Sequence, residues 1–300
     1  MTEAAPEGLL LIDKRPGATS HDLVAQVRRL LGRRRTGHAG TLDPFATGLL
    51  PMMLGRATRL IRFLPSSPKR YEGVLTLGAV TDTDDATGRV LQRYDGPLPG
   101  PDQVRTAAAR LTGEILQAPP SFSAKKVEGK RAYRSAREGT LLRLEPVPVE
   151  VFDLELFPGG DRASYRFSAS VSPGTYIRAL ARDLGDLLGC GGHLTALRRT
   201  SIGPLSVLEA IRLDRDRPVR EIPDPDLAER VLPLNKIPLE LESVALAAPG
   251  MDDLFLAGGR TELPGDFPEG SLVRVLGRTG ALLGVGEIAG NSLQPKVVLN

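Results

Sequence analysis

Three features of the 300-residue sequence predict an α+β fold with a mixed, largely antiparallel sheet flanked by helices. Strand-like and helix-like segments alternate without the strict βαβ order of a parallel sheet. The helical segments carry a 3.6-residue apolar period, while the strand-like ones are short and joined through Gly, Pro and Asp turns. Beyond a proline-rich passage (Pro218, Pro223, Pro225, Pro233, Pro238), the chain closes on short strands.

In chain order, residues 8–13 are a short apolar strand. Ser20 caps a helix that turns Leu23, Val24, Val27, Leu30 and Leu31 inward, its arginines outward, and stops at Gly32. Residues 56–64 are a second short helical segment, ended by Pro65. Residues 69–79 and 89–94 are strands joined through Thr81-Asp82-Thr83-Asp84-Asp85-Ala86-Thr87-Gly88. Residues 101–111 form a helix with proline in its first turn and Gly113 just past its end. Residues 147–156 and 164–171 are strands around a Pro-Gly-Gly-Asp turn. From 175 to 188, Ile177, Leu180, Ala181, Leu184, Leu187 and Leu188 fall on one helix face, which Gly189 ends. A short helix at 251–257 precedes strands at 272–276, 282–288 and 296–299. Two domains follow from this length and pattern, with a boundary between 240 and 248.

Hydrophobic residues make up 41% and charged residues 25%, ordinary for a soluble protein. No apolar run approaches the ~20 residues of a membrane span. The N-terminus MTEAAPEG is acidic, unlike a signal peptide, so a cytoplasmic protein is expected. One cysteine, Cys190, excludes an internal disulfide and argues against zinc. His21, His38 and His193 are too dispersed for a His-rich metal site, so no metal is expected. An EF-hand loop starting at Asp82 would need a ligand where Ala86 stands and Glu where Arg93 stands. The acidic 82–88 segment is therefore a hairpin connection.

Net charge is only +3, so distribution matters more than total. Arginine far outnumbers lysine, which suits bidentate phosphate contacts and base stacking, although a GC-rich genome would give the same bias. Clustering favours RNA. One run holds Arg28, Arg29, Arg33, Arg34 and Arg35. Another holds Lys125, Lys126, Lys130, Arg131, Arg134 and Arg137, opposed within it only by Glu128. Together they form a track for a nucleic-acid backbone.

Between these runs lies Gly37-His38-Ala39-Gly40-Thr41-Leu42-Asp43-Pro44-Phe45-Ala46-Thr47-Gly48. Pro44 pushes Asp43 towards an extended backbone, and the glycines permit close approach. A stiff loop presenting one acid results. A hydrolase or phosphotransferase with an aspartate nucleophile would also use such an acid, but the sequence has no glycine-rich phosphate loop or acidic metal cluster. A non-catalytic RNA-binding factor would fit the basic runs, yet has no need of a carboxylate facing a polyanion.

The twelve-residue segment resembles the signature GHxGTLDPxAtG of the TruB family, the bacterial tRNA pseudouridine(55) synthases. The likeness is strong over residues 8 to about 205. It implies a pseudouridine-synthase-like catalytic domain over 1–245 and a small β-rich PUA-like RNA-binding module over 246–300. It further implies isomerisation of uridine 55 in the tRNA T-loop, by base flipping and without a cofactor, with the T-arm as partner, no protein partner and a monomeric chain. Asp43 would be the nucleophile or base. Tyr71, in Lys69-Arg70-Tyr71-Glu72-Gly73, matches a tyrosine that stacks on the flipped base, although a strand tyrosine also suits plain packing. Arg178, in Gly174-Thr175-Tyr176-Ile177-Arg178, matches an arginine that pairs with the catalytic aspartate, keeping it charged and oriented. Tyr176 and Leu197 match positions lining the uracil pocket; Leu197 suits a core equally well. His38 matches a histidine that enters the T-loop. Asp13-Lys14-Arg15-Pro16-Gly17 resembles DKPxG with Arg15 in place of its proline, and Lys14 matches a lysine that contacts backbone or buttresses the Asp43 loop. The stretch from Pro119 to Tyr133, with Lys126, resembles PPxYSAxKxxGxxxY, with Phe122 in place of its first tyrosine.

Overall fold

The computed structural model describes residues 5–122, 126–127, 130–131, 144–214, 224–262 and 267–300, with the backbone alone at 126–127 and 130–131. They divide into two compact units. One runs to Pro44 and includes Leu49–Pro65 and Val207–Asn300; the other comprises Phe45–Gly48 and Ser66–Ser206.

The first unit opens with the buried strand β1 (Gly8–Lys14) and helix α1 (Ser20–Leu31). The cap of α1 is Thr19, one residue before the Ser20 that the pattern points to. Thr19 Oγ accepts from the Asp22 N–H at 3.1 Å, and the Asp22 carboxylate accepts from the Thr19 N–H at 2.8 Å. This capping box satisfies two of the donors that a helix start leaves open. Leu23, Val24, Val27, Leu30 and Leu31 are all buried, as their spacing demands, and Gly32 ends the helix at φ 62°. Strand β2 (Thr36–His38) pairs antiparallel with β3 (Thr47–Leu54), His38 opposite Met52. The sequence pattern leaves β3 undefined because Pro51 stands in it and proline cannot donate to a ladder. Its carbonyl still accepts from the Ala39 N–H at 2.9 Å. The helical segment at Gly55–Phe63 is 3₁₀.

The second unit holds most of the large sheet. Strand β4 (Lys69–Leu77) stops where Gly78 takes φ 94°. The hairpin read at 69–94 is instead a separate two-stranded ribbon, β5 (Ala79–Thr81) with β6 (Val90–Arg93). Helix α2 (Pro101–Ala109) leads to the edge strand β7 (Gly113–Gln117). Strands β8 (Lys126–Val127) and β9 (Lys130–Arg131) pair with each other. They are followed by β10 (Val147–Pro158) and β11 (Ser164–Val171), then helix α3 (Ile177–Leu187). After it come β12 (Gly192–Ile202) and the short β13 (Leu205–Ser206). The order β12-β4-β11-β10-β7 is antiparallel throughout, and Thr47–Gly48 joins β12 in parallel at Arg198 and Arg199. A mixed, largely antiparallel sheet with flanking helices is thus the observed architecture. Of the predicted face on α3, Ile177, Leu180, Ala181 and Leu184 are buried, Leu188 at the helix end is half-buried and Leu187 is exposed; the helix also buries a cation, Arg178. Gly185 permits α3 to lie against β12: a Cβ there would stand 2.1 Å from the Gly192 nitrogen.

The remainder of the first unit ends in a β-rich sheet. Strands β14 (Glu242–Ala245), β15 (Thr261–Glu262), β16 (Leu272–Leu276), β17 (Leu282–Ala289) and β18 (Ser292–Val298) take the order β14-β16-β17-β18-β15. Val244, Phe255, Val273, Val275, Ile288 and Leu293 form its core. Arg56 anchors the chain end by donating to the Leu299 carbonyl at 3.0 Å while its Nε meets Glu7 at 2.6 Å.

Candidate active site

The loop that presents Asp43 is fastened on both sides of the acid. Ahead of it, Ser20 Oγ accepts from the Leu42 N–H at 3.1 Å and donates to the Leu42 carbonyl at 3.4 Å. Behind it, the Pro44 carbonyl accepts from the Gly17 N–H at 2.8 Å and from Lys14 Nζ at 3.0 Å. Displacing the cap to Thr19 is what leaves the Ser20 hydroxyl available for this tie. Lys14 is 1% exposed and also donates to the Arg15 carbonyl at 3.1 Å. Burial lowers its pKa to about 8, opposed by the charges of Asp43 and then Asp22. A cation thus sits within electrostatic reach of the acid. Past Asp43 the chain enters β3 at Thr47, and a Cβ on the next residue, Gly48, would lie 2.2 Å from the Arg199 carbonyl oxygen; only glycine permits this approach.

Ser20→Ala removes both ties to Leu42, each worth about 1 kcal/mol. We expect a small loss of stability and a several-fold fall in turnover at saturating substrate, with substrate affinity retained. Steady-state kinetics would check this, and unchanged turnover would mean that Lys14 and Gly17 hold the loop alone.

His38 lies on β2 with its ring edge-on to His21, centroids 6.4 Å apart. Of the upstream arginines, Arg28 donates to the Thr36 carbonyl at 2.9 Å. Arg33 is turned inward onto the N-terminal segment, with Nε to the Pro6 carbonyl at 3.1 Å, a further bond to the Ala5 carbonyl, and Glu7 at 3.2 Å. Arg34 and Arg35 are exposed. In the second run, Lys125, Glu128, Tyr133, Arg134 and Arg137 lie outside the described residues, and for Lys126, Lys130 and Arg131 only the strand backbone is described.

In the second unit, Tyr71 on β4 is 7% exposed and stands between Ala169 of β11 and Arg199 of β12 in the sheet. Leu197 on β12 is buried, and its carbonyl accepts from Thr47 Oγ at 3.2 Å. Tyr176 is half-buried and is the N-cap of α3. Arg178, in the first turn of the helix, is 4% exposed. Its guanidinium donates to the Thr83 carbonyl at 2.6 Å and the Phe122 carbonyl at 2.9 Å, with Asp85 Oδ2 at 3.6 Å. Asp85 also accepts from the Thr87 N–H and from Thr83 Oγ, both at 2.9 Å. The 82–88 connection therefore orients Arg178. It docks on β12 as well, through the Leu194 N–H to the Asp84 carbonyl at 3.0 Å and the Ala86 N–H to the Leu194 carbonyl at 2.8 Å.

One turn along α3, Arg182 meets Asp84 Oδ2 at 3.1 Å and the Ala118 carbonyl at 2.7 Å. Burial raises the Asp84 pKa to about 6 despite the attraction of Arg182 and Arg178. Its folded value lies above the ordinary 3.8, so between about pH 4 and 6 the folded protein keeps a proton the unfolded chain has released. Stability accordingly falls as pH rises through that window and levels off above it. Asp84→Asn should remove this dependence and stabilise the protein at pH 7.5, with a ceiling of roughly 3 kcal/mol. Asparagine also tolerates the residue's φ of 59°. Denaturant unfolding at pH 7.5 and pH 4 would check it; a less stable variant at pH 7.5 would mean that the Arg182 pair outweighs burial.

Asp84, Asp85 and Arg182 escaped the sequence reading, as did the fully buried Arg199. A local signal was present only in α3, where Arg178 and Arg182 stand four residues apart on one helix face. Among the described residues, no three His, Cys, Asp or Glu side chains gather as a metal-binding group.

Comparison with known proteins agrees with this architecture. Residues 28–177 match the TruB family pseudouridylate synthase N-terminal domain. Residues 178–237 match the tRNA pseudouridylate synthase B C-terminal domain, and residues 251–299 match Pseudouridine synthase II TruB, C-terminal. The chain is 41% identical to tRNA pseudouridine synthase B of Paenarthrobacter aurescens over 91% of its own length and 92% of that protein's. It is 39% identical to the Aquifex aeolicus protein of the same name over 98% and 99%. Among solved structures, a chain from the crystal structure of a Cbf5-Nop10-Gar1 complex superposes with a TM-score of 0.71 at 25% identity, covering 99% of this chain and 86% of that one. Fold and sequence together define a pseudouridylate synthase, an isomerase. Within that class, the chain belongs to the TruB family.

Proposed function

We propose that the chain converts uridine 55 in the T-loop of tRNA to pseudouridine. The observation that carries this reading is the acid Asp43, whose neighbours Leu42 and Pro44 are both fastened. The reaction breaks the N1–C1′ bond, turns the base, and rejoins C1′ to C5. The C5 proton leaves to solvent and N1 takes one up, so no redox partner or phosphate donor enters the balance. Asp43, ionised, acts as nucleophile or base on the extruded uridine, paired with Arg178. Tyr71 stacks on the base, Tyr176 and Leu197 line its pocket, and His38 fills the space it vacates in the T-loop. Lys14 holds the acid loop against the RNA, and Lys126 contacts the RNA backbone. Residues 246–300 are a PUA-like module that adds affinity for whole tRNA. The enzyme works as a cytoplasmic monomer without a metal or cofactor.

Relatives named tRNA pseudouridine synthase B support the substrate. Tritium release from C5-labelled uridine tests it, in a T-arm hairpin with EDTA and no added nucleotide. Release confined to the T-loop uridine is expected. No release, or release restored only by a divalent ion, would overturn the reading.

The exposed Arg34 and Arg35 give a separate test of RNA binding. Their double replacement by alanine should flatten the log–log salt dependence of affinity by about 0.7 to 0.9 per lost phosphate contact. Turnover at saturating RNA should change little. An unchanged slope would make these arginines a solvated face only.

A further inference from the structure

We infer that Gln117 is a positioning residue for the isomerase site, acting through the backbone of Tyr176; this rests on the function proposed above. Gln117 ends the edge strand β7 and is 1% exposed. Its carboxamide bonds both backbone groups of one residue. Oε1 accepts from the Tyr176 N–H at 2.8 Å, and Nε2 donates to the Tyr176 carbonyl at 3.2 Å. A primary amide suits this task because it offers one acceptor and one donor side by side, as a peptide group does across a sheet.

Tyr176 is where such a hold has most effect. As N-cap of α3 it has φ −99° and ψ 111°, and its own side chain makes no capping bond. In a capping box the N-cap N–H is satisfied by a side chain three residues along the same helix. Here a glutamine from another strand takes that part. The Tyr176 carbonyl meanwhile also accepts from the Leu180 N–H at 3.2 Å, the first bond of the helical ladder. Gln117 thus fixes the residue at which the helix begins. Were the start to slip by one residue, every side chain on α3 would turn by about 100° about the axis. Arg178, two residues on, would lose its bonds to Thr83 and Phe122.

Two neighbouring bonds make the segment after Gln117 and the start of α3 one rigid piece. Arg182 holds the Ala118 carbonyl and Arg178 the Phe122 carbonyl. Gln117 grips Tyr176 itself. Gln117 touches no reacting atom. It sets the direction of the Tyr176 ring and the phase of Arg178, both of which the proposed chemistry uses.

Gln117→Met keeps the length and removes both hydrogen bonds; Gln117→Glu keeps an acceptor for the Tyr176 N–H and loses the donor. Each is compared with the parent enzyme by tritium release from the T-arm hairpin, well below the unfolding temperature. We expect the Met variant to lose at least tenfold in turnover at saturating RNA, with its KM within about twofold of the parent. The Glu variant should fall between the two. A purely structural contribution would lower the unfolding midpoint and leave turnover intact, so parental turnover in the folded variants overturns the inference. So does a loss confined to KM, or a Glu variant no better than Met when both are folded. If Gln117→Met does not fold, parental turnover in Gln117→Glu alone is decisive against it. Failure of the parent to release tritium refutes the proposed function instead, so the two failures are distinguishable.

Discussion

Asp43→Asn is expected to leave a folded protein that binds the T-arm hairpin with undiminished affinity and releases tritium at least about 10⁴-fold more slowly, the scale of loss when a nucleophile is removed. Affinity should survive because the substitution removes a negative charge from a surface that meets a polyanion. The fold should survive because the loop does not hang on the carboxylate: Leu42 is held by Ser20, and Pro44 by Gly17 and Lys14. What changes is chemical. An amide is a far poorer nucleophile and base than a carboxylate of the same shape. Lys14 also loses the negative charge that opposes the effect of its burial. Substantial tritium release by a folded Asn variant, freed of any parental contamination, would remove Asp43 from the chemistry and leave the fastened loop unexplained.

That loop was legible because its information is local. Three glycines, one proline and one acid within twelve residues restrict the backbone whatever lies around them. Helix α1 and strand β11 were legible for the same reason: their apolar periods match the faces they bury. Strand β12 was not, although it pairs with β4 along nearly its whole length. It carries Arg198 and Arg199 side by side, and its register shifts at Leu194/Ala196 and again at Arg199/Ser201, so the two-residue alternation is lost. The Ser20 tie was hidden because a serine before an apolar helix reads as a cap, and only the real cap at Thr19 shows it to be free. The 82–88 connection was hidden more deeply. Its composition says turn, and nothing within it tells that Asp84 and Asp85 face arginines nearly a hundred residues away. Long-range charge pairs leave no period to read.

Those pairs make Arg178→Lys the second large expected effect. The parent guanidinium serves the carbonyls of Thr83 and Phe122 while facing Asp85, and both ionic partners are 5% exposed at the side chain. Lysine carries the same charge on a single nitrogen and cannot span that fork. One carbonyl then loses its donor, and Asp85 is left with its Thr83 and Thr87 hydroxyls and the Thr87 N–H. Truncating a buried pair outright costs about 3–5 kcal/mol. Retaining the charge should bring the loss below that range, to about 2 kcal/mol, the sum of one forfeited carbonyl bond and a weakened ion pair. Turnover should fall much further than stability, by about 10²-fold or more, if the arginine also orients the acid as proposed. Asp85→Asn separates the two roles. It keeps the hydroxyl and N–H bonds but replaces the charge facing Arg178 by an amide, removing a counter-charge from a buried cation. Stability should therefore fall by up to about the same 3–5 kcal/mol, and turnover of the folded variant reports whether that charge orients Arg178. Unfolding curves and saturating turnover for both variants, measured together, are the test. If Asp85→Asn turned over like the parent, the Asp85 carboxylate would be holding the fold alone, and the orientation of Arg178 would have to come from Thr83 and Phe122.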